Sequence, residues 1–285
     1  MVVPFRGDEE AAARLRESLS RLNLKRGDEI IVADNSAPSG ASVAHGTTEE
    51  PLGGEGELVH VVAAGERSSY HARNAGARVA KGEWLVFTDA DCVPDPNLID
   101  AYFDPVPGPG VGALAGSVIT DPDQSHFLAR YAGDRGFLDQ EAGLHTAGDA
   151  AATANLAVRH EVFWALEGFT EGIRSAGDVD FCRRLVAAGH AIERRPEARV
   201  HHLHRESLAD LLGSIARYAA GARWLNERYP GSAPRWPLVP GLMHCARDIG
   251  SELVRLRFER AAFRGVDALG MFAHTIGYGR SNDAG

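Results

Sequence analysis

Residues 86 to 96, VFTDADCVPDP, place two carboxylates, Asp89 and Asp91, one alanine apart at the end of the apolar run Trp84 to Phe87. Such a pair can be a solvated turn. It can also hold a divalent cation, because hard cations take carboxylate and diphosphate oxygens together. A second acidic pair, Asp178 and Asp180, opens the stretch GDVDFCRRLVAAG. If a helix starts near Gly177, Asp178 shares a face with Phe181, Cys182 and Leu185 at i+3, i+4 and i+7, which is the buried face. An inward carboxylate at that end can act as a general base or as a helix N-cap. Asp180 would pair with Arg183 or Arg184 as a solvated ion pair. In RVHHLHRES, His202 and His204 fall on one side of a strand by period two and His201 on the other. Cys92, beside the acidic pair, has no histidine or asparagine close in sequence to make it a nucleophile and reads as a small packing residue.

The elements that must position these groups alternate. MVVPF, DEIIVADNS, LVHVVAA and EWLVFTDAD read as strands, and DEEAAARLRESLSRLN and SSYHARNAGARVAKG as helices. This βαβ-type order implies a largely parallel sheet with helices on both faces, whose ligands bind beyond the carboxyl ends of the strands. Phe5-Arg6, Asp34-Asn35-Ser36 and Asp89-Asp91 all fall at such ends. Residues 36 to 57, rich in Gly, Ser, Thr and Glu, read as a long mobile loop. Further on come a turn (PVPGPG), a strand (VGALAGSVIT), a helical patch near 125 to 142 and a small-residue loop (HTAGDAAATAN). A strand (LAVR), two helices (HEVFWAL, DVDFCRRLVAAG) and a strand (IERRPEARVHHLH) complete this part. From residue 207 the pattern is helical.

Apolar content of 44% and charged content of 24% over 285 residues fit a globular chain of one large domain or one and a half ordinary ones. No run of about 18 apolar residues suggests a membrane span, and MVVPFRGDEE lacks the basic start and apolar core of a signal peptide. With three dispersed cysteines and no CxxC pair, a reducing cytoplasm is the expected location. The net charge of −9 argues against nucleic acid as a partner. Residues 194 to 285 nevertheless carry 14 arginines against 9 acids. A basic C-terminal third suits an anionic ligand or membrane surface, or is simply a set of solvated helix faces.

Five segments, in order, resemble an inverting family 2 glycosyltransferase of the GT-A fold, from about residue 2 to residue 224. VVPFRG resembles the opening strand and its nucleotide-contacting loop, which implies donor contacts for Pro4, Phe5 and Arg6. IVADNSAP resembles the V-D-D-G-S segment, with Asp34 on the carboxylate that reads uracil and Asn35 in place of glycine. SSYHARNAGARVAKGEWLVFTDADCVP resembles the stretch running from A-R-N to D-x-D. It implies donor contact for Arg73, a metal contact for Asp91, and a place for Asp89 at the ribose or a metal-bound water. NLAVRHEVFWALEGFTE resembles the acceptor-side segment ending in G-G-F-x-E, with Glu167 for the first glycine. SAGDVDFCRRL resembles the E-D-x-D segment and implies Asp178 as the base, with Gly177 where a glutamate is usual. Val200-x-His202 resembles a V-x-H strand that adds an imidazole to the metal, with His204 in reserve. DADCV also matches the DxDx(T/V) motif of haloacid-dehalogenase-type phosphatases. Those place it on their first strand and need a later lysine, whereas the two lysines here, Lys25 and Lys81, both precede it.

The resemblance implies a GT-A catalytic domain over 1–205, with a nucleotide-binding half (1–98) and an acceptor-side half (99–205), followed by a C-terminal helical region (206–285). It implies Mn²⁺ or Mg²⁺, a nucleotide-sugar donor with UDP as default, and transfer of one sugar to a glycan, lipid-linked or small-molecule acceptor. AAGARW at 219–224 lacks the glutamine of the processive Q-x-x-R-W motif, which favours single addition. The mixed Leu, Val, Phe and Arg of the last helices suits peripheral contact with the inner face of a membrane, or a homodimer. The competing reading is a non-catalytic binding protein on a degenerate GT-A fold.

Overall fold

The computed structural model describes residues 1–36, 48–51, 56–137, 140 and 150–284. Strand β1 (Val2–Phe5) leads into α1 (Glu9–Leu19), which Asp8 caps by accepting from the Ala11 amide at 2.9 Å. Then follow β2 (Glu29–Asp34), β3 (Thr48–Pro51), β4 (Glu57–Val62), α2 (Ser69–Val79), β5 (Trp84–Thr88), β6 (Cys92–Pro94), α3 (Leu98–Phe103) and β7 (Val111–Thr120). The remainder is α4 (Phe127–Asp134), β8 (Asn155–Arg159), α5 (His160–Ala165), α6 (Gly177–Ala187), β9 (Ala191–His202), α7 (Leu208–Arg228), α8 (Leu238–Val254) and α9 (Phe258–Tyr278). Period-two alternation divides the core between the two faces of the sheet. Val3, Ile30, Val32 and Val86 face α1 and α3, while Val2, Ile31, Leu85 and Phe87 face α2, α5 and α6.

All nine strands form one sheet in the order β3-β4-β2-β1-β5-β8-β7-β9-β6. The pairings β4-β2-β1-β5 are parallel, as the βαβ alternation predicts. Beyond β5 the sheet is mixed: β8 runs antiparallel to both β5 and β7, and β9 is parallel to β7. The direction therefore reverses at the strand that carries Asp89 and Asp91. The 36–57 stretch is not wholly loop, because Thr48–Pro51 forms an antiparallel edge on β4. Residues 37–47 and 52–55 lie outside the described residues, as do 138–139 and 141–149 of the expected helical patch and small-residue loop.

One irregularity aims β9 at the site. The β7–β9 register shifts between Gly116 and Ser117, so that residues 196–198, which include Pro196, bulge out of the ladder. Asn155 fills the gap, donating to Ser117 O (2.9 Å) and Ala198 O (2.7 Å). Past the bulge, Val200, His201 and His202 pair with Pro94, Val93 and Cys92.

The last three helices pack as a layer, α9 against both α7 and α8. No helix among the described residues is long and apolar enough to cross a membrane. After α9 the chain returns to the body: Ile173 and Asp283 form an antiparallel bridge, and Asn282 donates to Ser175 O at 2.9 Å. The α7–α9 contact depends on Gly277, where a Cβ would stand 2.1 Å from Ala216 O, whereas Gly265 on the same helix has nothing within 4 Å. Gly277→Ala should destabilise the fold by about 1–3 kcal/mol, because the atom it meets is backbone. Gly265→Ala should be stabilising by roughly 0.5–1 kcal/mol through helix propensity. Thermal unfolding of the two variants checks both signs.

Candidate active site

The two carboxylates that end β5 lie in a tight turn. Cys92 N donates to Asp89 O at 3.0 Å, and Leu203 N donates to Asp91 O at 2.8 Å, joining the turn to the end of β9. Asp89 forms an ion pair with Arg73, which is only 3% exposed and lies over the Tyr70 ring, 5.4 Å from its centroid. Asp91 has two basic neighbours, Arg205 Nη2 at 3.2 Å and His202 Nε2 at 3.7 Å. Burial, and then the charge of Asp89, push the Asp91 carboxyl above its ordinary range, opposed by His202 and Arg205. Cys92 is buried in the apolar core, and burial followed by the two aspartates keeps its thiol far above the usual range, so it packs as expected.

The histidines are ordered by their partners. His201 turns away and pairs with Asp95 at 2.8 Å. His204 does not reach Asp91, contrary to its reserve place as a ligand. Both its nitrogens are engaged, Nε2 with Thr120 Oγ1 (3.0 Å) and Nδ1 with His202 Nδ1 (3.2 Å). Burial, then the neighbouring His202, push His204 down to about 4, so it is neutral. The two imidazoles meet through their Nδ1 atoms, which leaves Nε2 as the His202 nitrogen that faces Asp91.

Asp178 sits in the first turn of α6, half-buried, and the N-cap position belongs instead to Ala176 in the left-handed region at φ 70°. Its Oδ1 accepts from Tyr70 OH (3.2 Å) and from the Val179 amide (3.0 Å), and its Oδ2 from the Thr153 amide (3.3 Å). Burial raises its pKa above the ordinary carboxylate range, and the Arg73 charge opposes that rise. Gly177 has a steric cause, since a Cβ there would meet the Tyr70 ring at 2.9–3.0 Å. The aromatic ring occupies the place of the side chain expected before Asp178, and its hydroxyl reaches the carboxylate. Burial holds that phenol well above its ordinary pKa, so it stays a donor.

Asp180 overturns its solvated reading. It is completely buried, accepting from Thr170 Oγ1 (2.9 Å), Arg184 Nε (3.0 Å) and Tyr229 OH (2.9 Å), with Arg228 Nε at 2.9 Å. The i+4 arginine was legible in the sequence, but the partners from the end of α7 were not. Asn74 and Gly76 are packing choices. Asn74 pairs with both backbone groups of Phe169, and a Cβ on Gly76 would stand 2.6 Å from Val2. Glu167 holds φ 61°, a conformation that explains a glycine at that place in the resembling pattern.

A cavity of about 970 Å³ joins these groups, lined by Arg6, Tyr70, Arg73, Asp89, Thr153 and Asp178 among others. A second, of about 550 Å³, shares Arg6, Arg73 and Asp89 and continues to Pro4, Phe5 and Asp91. Asp34 is not on either wall. It lines an adjoining hollow that shares Phe5, and its Oδ1 accepts from the Ser36 amide at 2.8 Å. Sequence reasoning missed Tyr70, Arg205 and the Thr153 amide. Tyr70 could have been found, because it stands three residues before Arg73 on one face of α2.

A family model described as glycosyltransferase like family 2 matches residues 2–221. The pre-mycofactocin glycosyltransferase of Mycobacterium tuberculosis is 27% identical over 244 residues, 84% of this chain and 49% of that protein. Glycosyltransferase AglE of Haloferax volcanii is 27% identical over 172 residues, 58% of this chain and 53% of that protein. The chain thus spans about half the length of the curated relatives it matches. Among solved structures, the mannosyltransferase PcManGT from Pyrobaculum calidifontis, in complex with GDP-Man and Mn²⁺, is similar with a TM-score of 0.60 at 17% identity. That likeness covers 97% of this chain and 85% of that one, and it concerns the fold.

The two acids of α6 should separate in a stability measurement. Asp180→Ala leaves Thr170, Tyr229 and the half-buried Arg184 without their acceptor and should cost roughly 1–3 kcal/mol in chemical denaturation. Asp178→Asn removes a charge that burial disfavours and should leave unfolding unchanged within about 1 kcal/mol.

Proposed function

The chain belongs to glycosyltransferase family 2 and has the GT-A fold, and from that premise we propose that it transfers one sugar, with inversion, from a nucleotide-sugar donor to an acceptor hydroxyl, with Asp178 as base. One observation carries this reading: Asp89, Arg73, Tyr70 and Asp178 form a continuous chain of contacts along the wall of a single cavity.

The residues around Asp91 fit a divalent cation. A carboxylate oxygen and an imidazole nitrogen face one another with ligand atoms within 4.8 Å, and the contact of His204 with His202 Nδ1 leaves His202 Nε2 toward them. Asp91 and His202 would hold Mn²⁺ or Mg²⁺, which neutralises the charge that develops on a departing diphosphate. Arg205, now on Asp91, is the counter-charge of that carboxylate in the protein alone. Pro4, Phe5 and Arg6 would line the donor, and Asp34, beyond Phe5, the base. UDP is the nucleotide expected from Asp34. GDP is the second to test, since the mannosyltransferase of similar fold holds GDP-Man.

Arg73 neutralises Asp89 and keeps that end of the cavity suited to phosphate oxygens. On the acceptor side, Asp178 takes the hydroxyl proton as that oxygen bonds to the anomeric carbon, opposite the breaking bond to the diphosphate. Tyr70 and the Val179 amide hold Oδ1, while Oδ2, with only the 3.3 Å contact from Thr153, keeps capacity for the proton. The binding-protein alternative rested on the missing glutamate at Gly177, and Tyr70 supplies a contact to Asp178 there. Family membership sets the phosphatase reading aside.

The C-terminal helices also present an apolar knuckle between α8 and α9. Val254, Leu256 and Phe258 are 86%, 74% and 65% exposed, interleaved with Arg255 and Arg257 and followed by Arg260. Apolar tips among arginines match an anionic bilayer surface, and we assign this loop to peripheral membrane contact.

Asp178→Asn should lower turnover by about 10²–10⁴-fold while nucleotide affinity stays the same, read as UDP or GDP release with Mn²⁺. Normal turnover in that variant refutes the base assignment. A base acts only when deprotonated, so rate should fall with falling pH through a limb above the ordinary carboxylate range. Removing the opposing charge, as in Arg73→Met, should move that limb to higher pH in a rate profile. Co-sedimentation with phosphatidylglycerol vesicles, but not with phosphatidylcholine alone, should occur and be lost in Leu256→Ser/Phe258→Ser. A concentration-dependent dimer that is abolished by the same pair, without vesicle binding, would assign the knuckle to self-association instead.

A further inference from the structure

Past Asp178 the main cavity opens through Arg174, Arg205 and Arg217 into a further cavity of about 730 Å³ that no step above uses. Its walls come from three places far apart in sequence. The turn before α6 supplies Arg174, α7 supplies Arg217, and the segment after α9 supplies Arg280. That last segment is fastened in place. Arg174 N donates to Asn282 O and Ala284 N to Gly172 O, each at 2.9 Å, and Asn282 is buried against Ser175. Ala209, Gly213, Ala216 and Ala220 of α7 are small, and that keeps the space between the arginines open.

The charge of this cavity is one-sided. No ion pair engages Arg174, Arg217 or Arg280 among the described residues, although ion pairs with acids are frequent elsewhere on this surface. Among the described residues Asp210 is the single carboxylate on the wall, and it accepts from the Ser207 hydroxyl at 2.6 Å at the start of α7. Arg217 also rests on the Tyr218 ring, 5.1 Å from its centroid. Gathering like charges in a concavity is unfavourable unless an anion occupies it, and guanidinium groups match the oxygens of a phosphate.

We propose that the acceptor carries a phosphoryl group, which Arg174, Arg217 and Arg280 bind while its reacting hydroxyl lies at Asp178. This rests on the transferase reading and specifies its acceptor. Both a soluble sugar phosphate and the headgroup of a phospholipid offer that group.

The test uses the whole chain with Mn²⁺ and saturating UDP or GDP, so that the donor site is filled. Glucose 6-phosphate, short-chain dihexanoyl phosphatidate and, as a neutral control, methyl glucoside are titrated by calorimetry. At least one phosphate-bearing probe should bind and methyl glucoside should not. Arg174→Ala/Arg217→Ala/Arg280→Ala should weaken that binding by about tenfold or more, with nucleotide affinity unchanged. Arg174 and Arg280 are exposed, so loss of fold is not expected, and nucleotide binding reports on it. Preference for glucose 6-phosphate or for the phosphatidate identifies the source of the group. The inference is overturned if neither phosphate probe binds, if the triple variant binds them as the wild type does, or if the neutral glucoside binds as well. Failure of the wild type to bind any nucleotide would count against the transferase reading instead. Phosphate binding that depends on the three arginines would still establish the groove.

Discussion

Burying the Asp180 carboxylate obliges the surrounding chain to supply donors, because an uncompensated charge away from water is among the costliest features a fold can hold. The donors come from the loop before α6 (Thr170), from α6 itself (Arg184) and from the end of α7 (Arg228 and Tyr229). Arg184 reaches further, donating to Gly168 O at 2.8 Å, and so ties the loop after α5 to the same point. Two residues upstream, Asp178 inherits its direction from this anchoring. Two acids of one helix thus divide into one locked among donors and one on the wall of a cavity.

The end of the site at Asp89 and Asp91 is built on a different constraint. At β5 the sheet changes from parallel to antiparallel pairing, so the chain leaving that strand has an open crevice beyond it. Turning there within the four residues from Asp89 to Cys92 projects both carboxylates into the crevice, and β9 arrives from the other side with His202. The bulge around Pro196 is what lets β9 do this, since without the register shift the histidines would meet β6 out of phase. Tyr70 and Arg73 of α2 bridge the two ends.

Much of the fold was legible because strands and helices announce themselves by period, and the parallel half of the sheet follows from βαβ order. Thr48–Pro51 was not, as a four-residue edge strand of TEEP has no alternation to detect and exists only because β4 offers an unpaired edge. Asp178 was placed on the inner face of its helix by spacing alone. Asp180 was misread for the converse reason. Helix spacing finds the i+4 partner but is blind to Arg228 and Tyr229, which arrive from a helix almost fifty residues later.

By itself the sequence determined the family and the strand ends at which the acidic pair falls, because these depend on local period and on motifs in order, but of the two acids on α6 it turned only Asp178 inward where Asp180 is the one fully buried. Only the tertiary structure decided how those residues are used. It put Tyr70 in the space that Gly177 leaves and set His204 behind His202 rather than beside it. It also carried Asp34 to the far side of Phe5 and drew Arg174, Arg217 and Arg280 around one cavity. Each of these depends on a contact with a segment distant in the chain, for His204 the one with Thr120, and such contacts leave no trace in local periodicity.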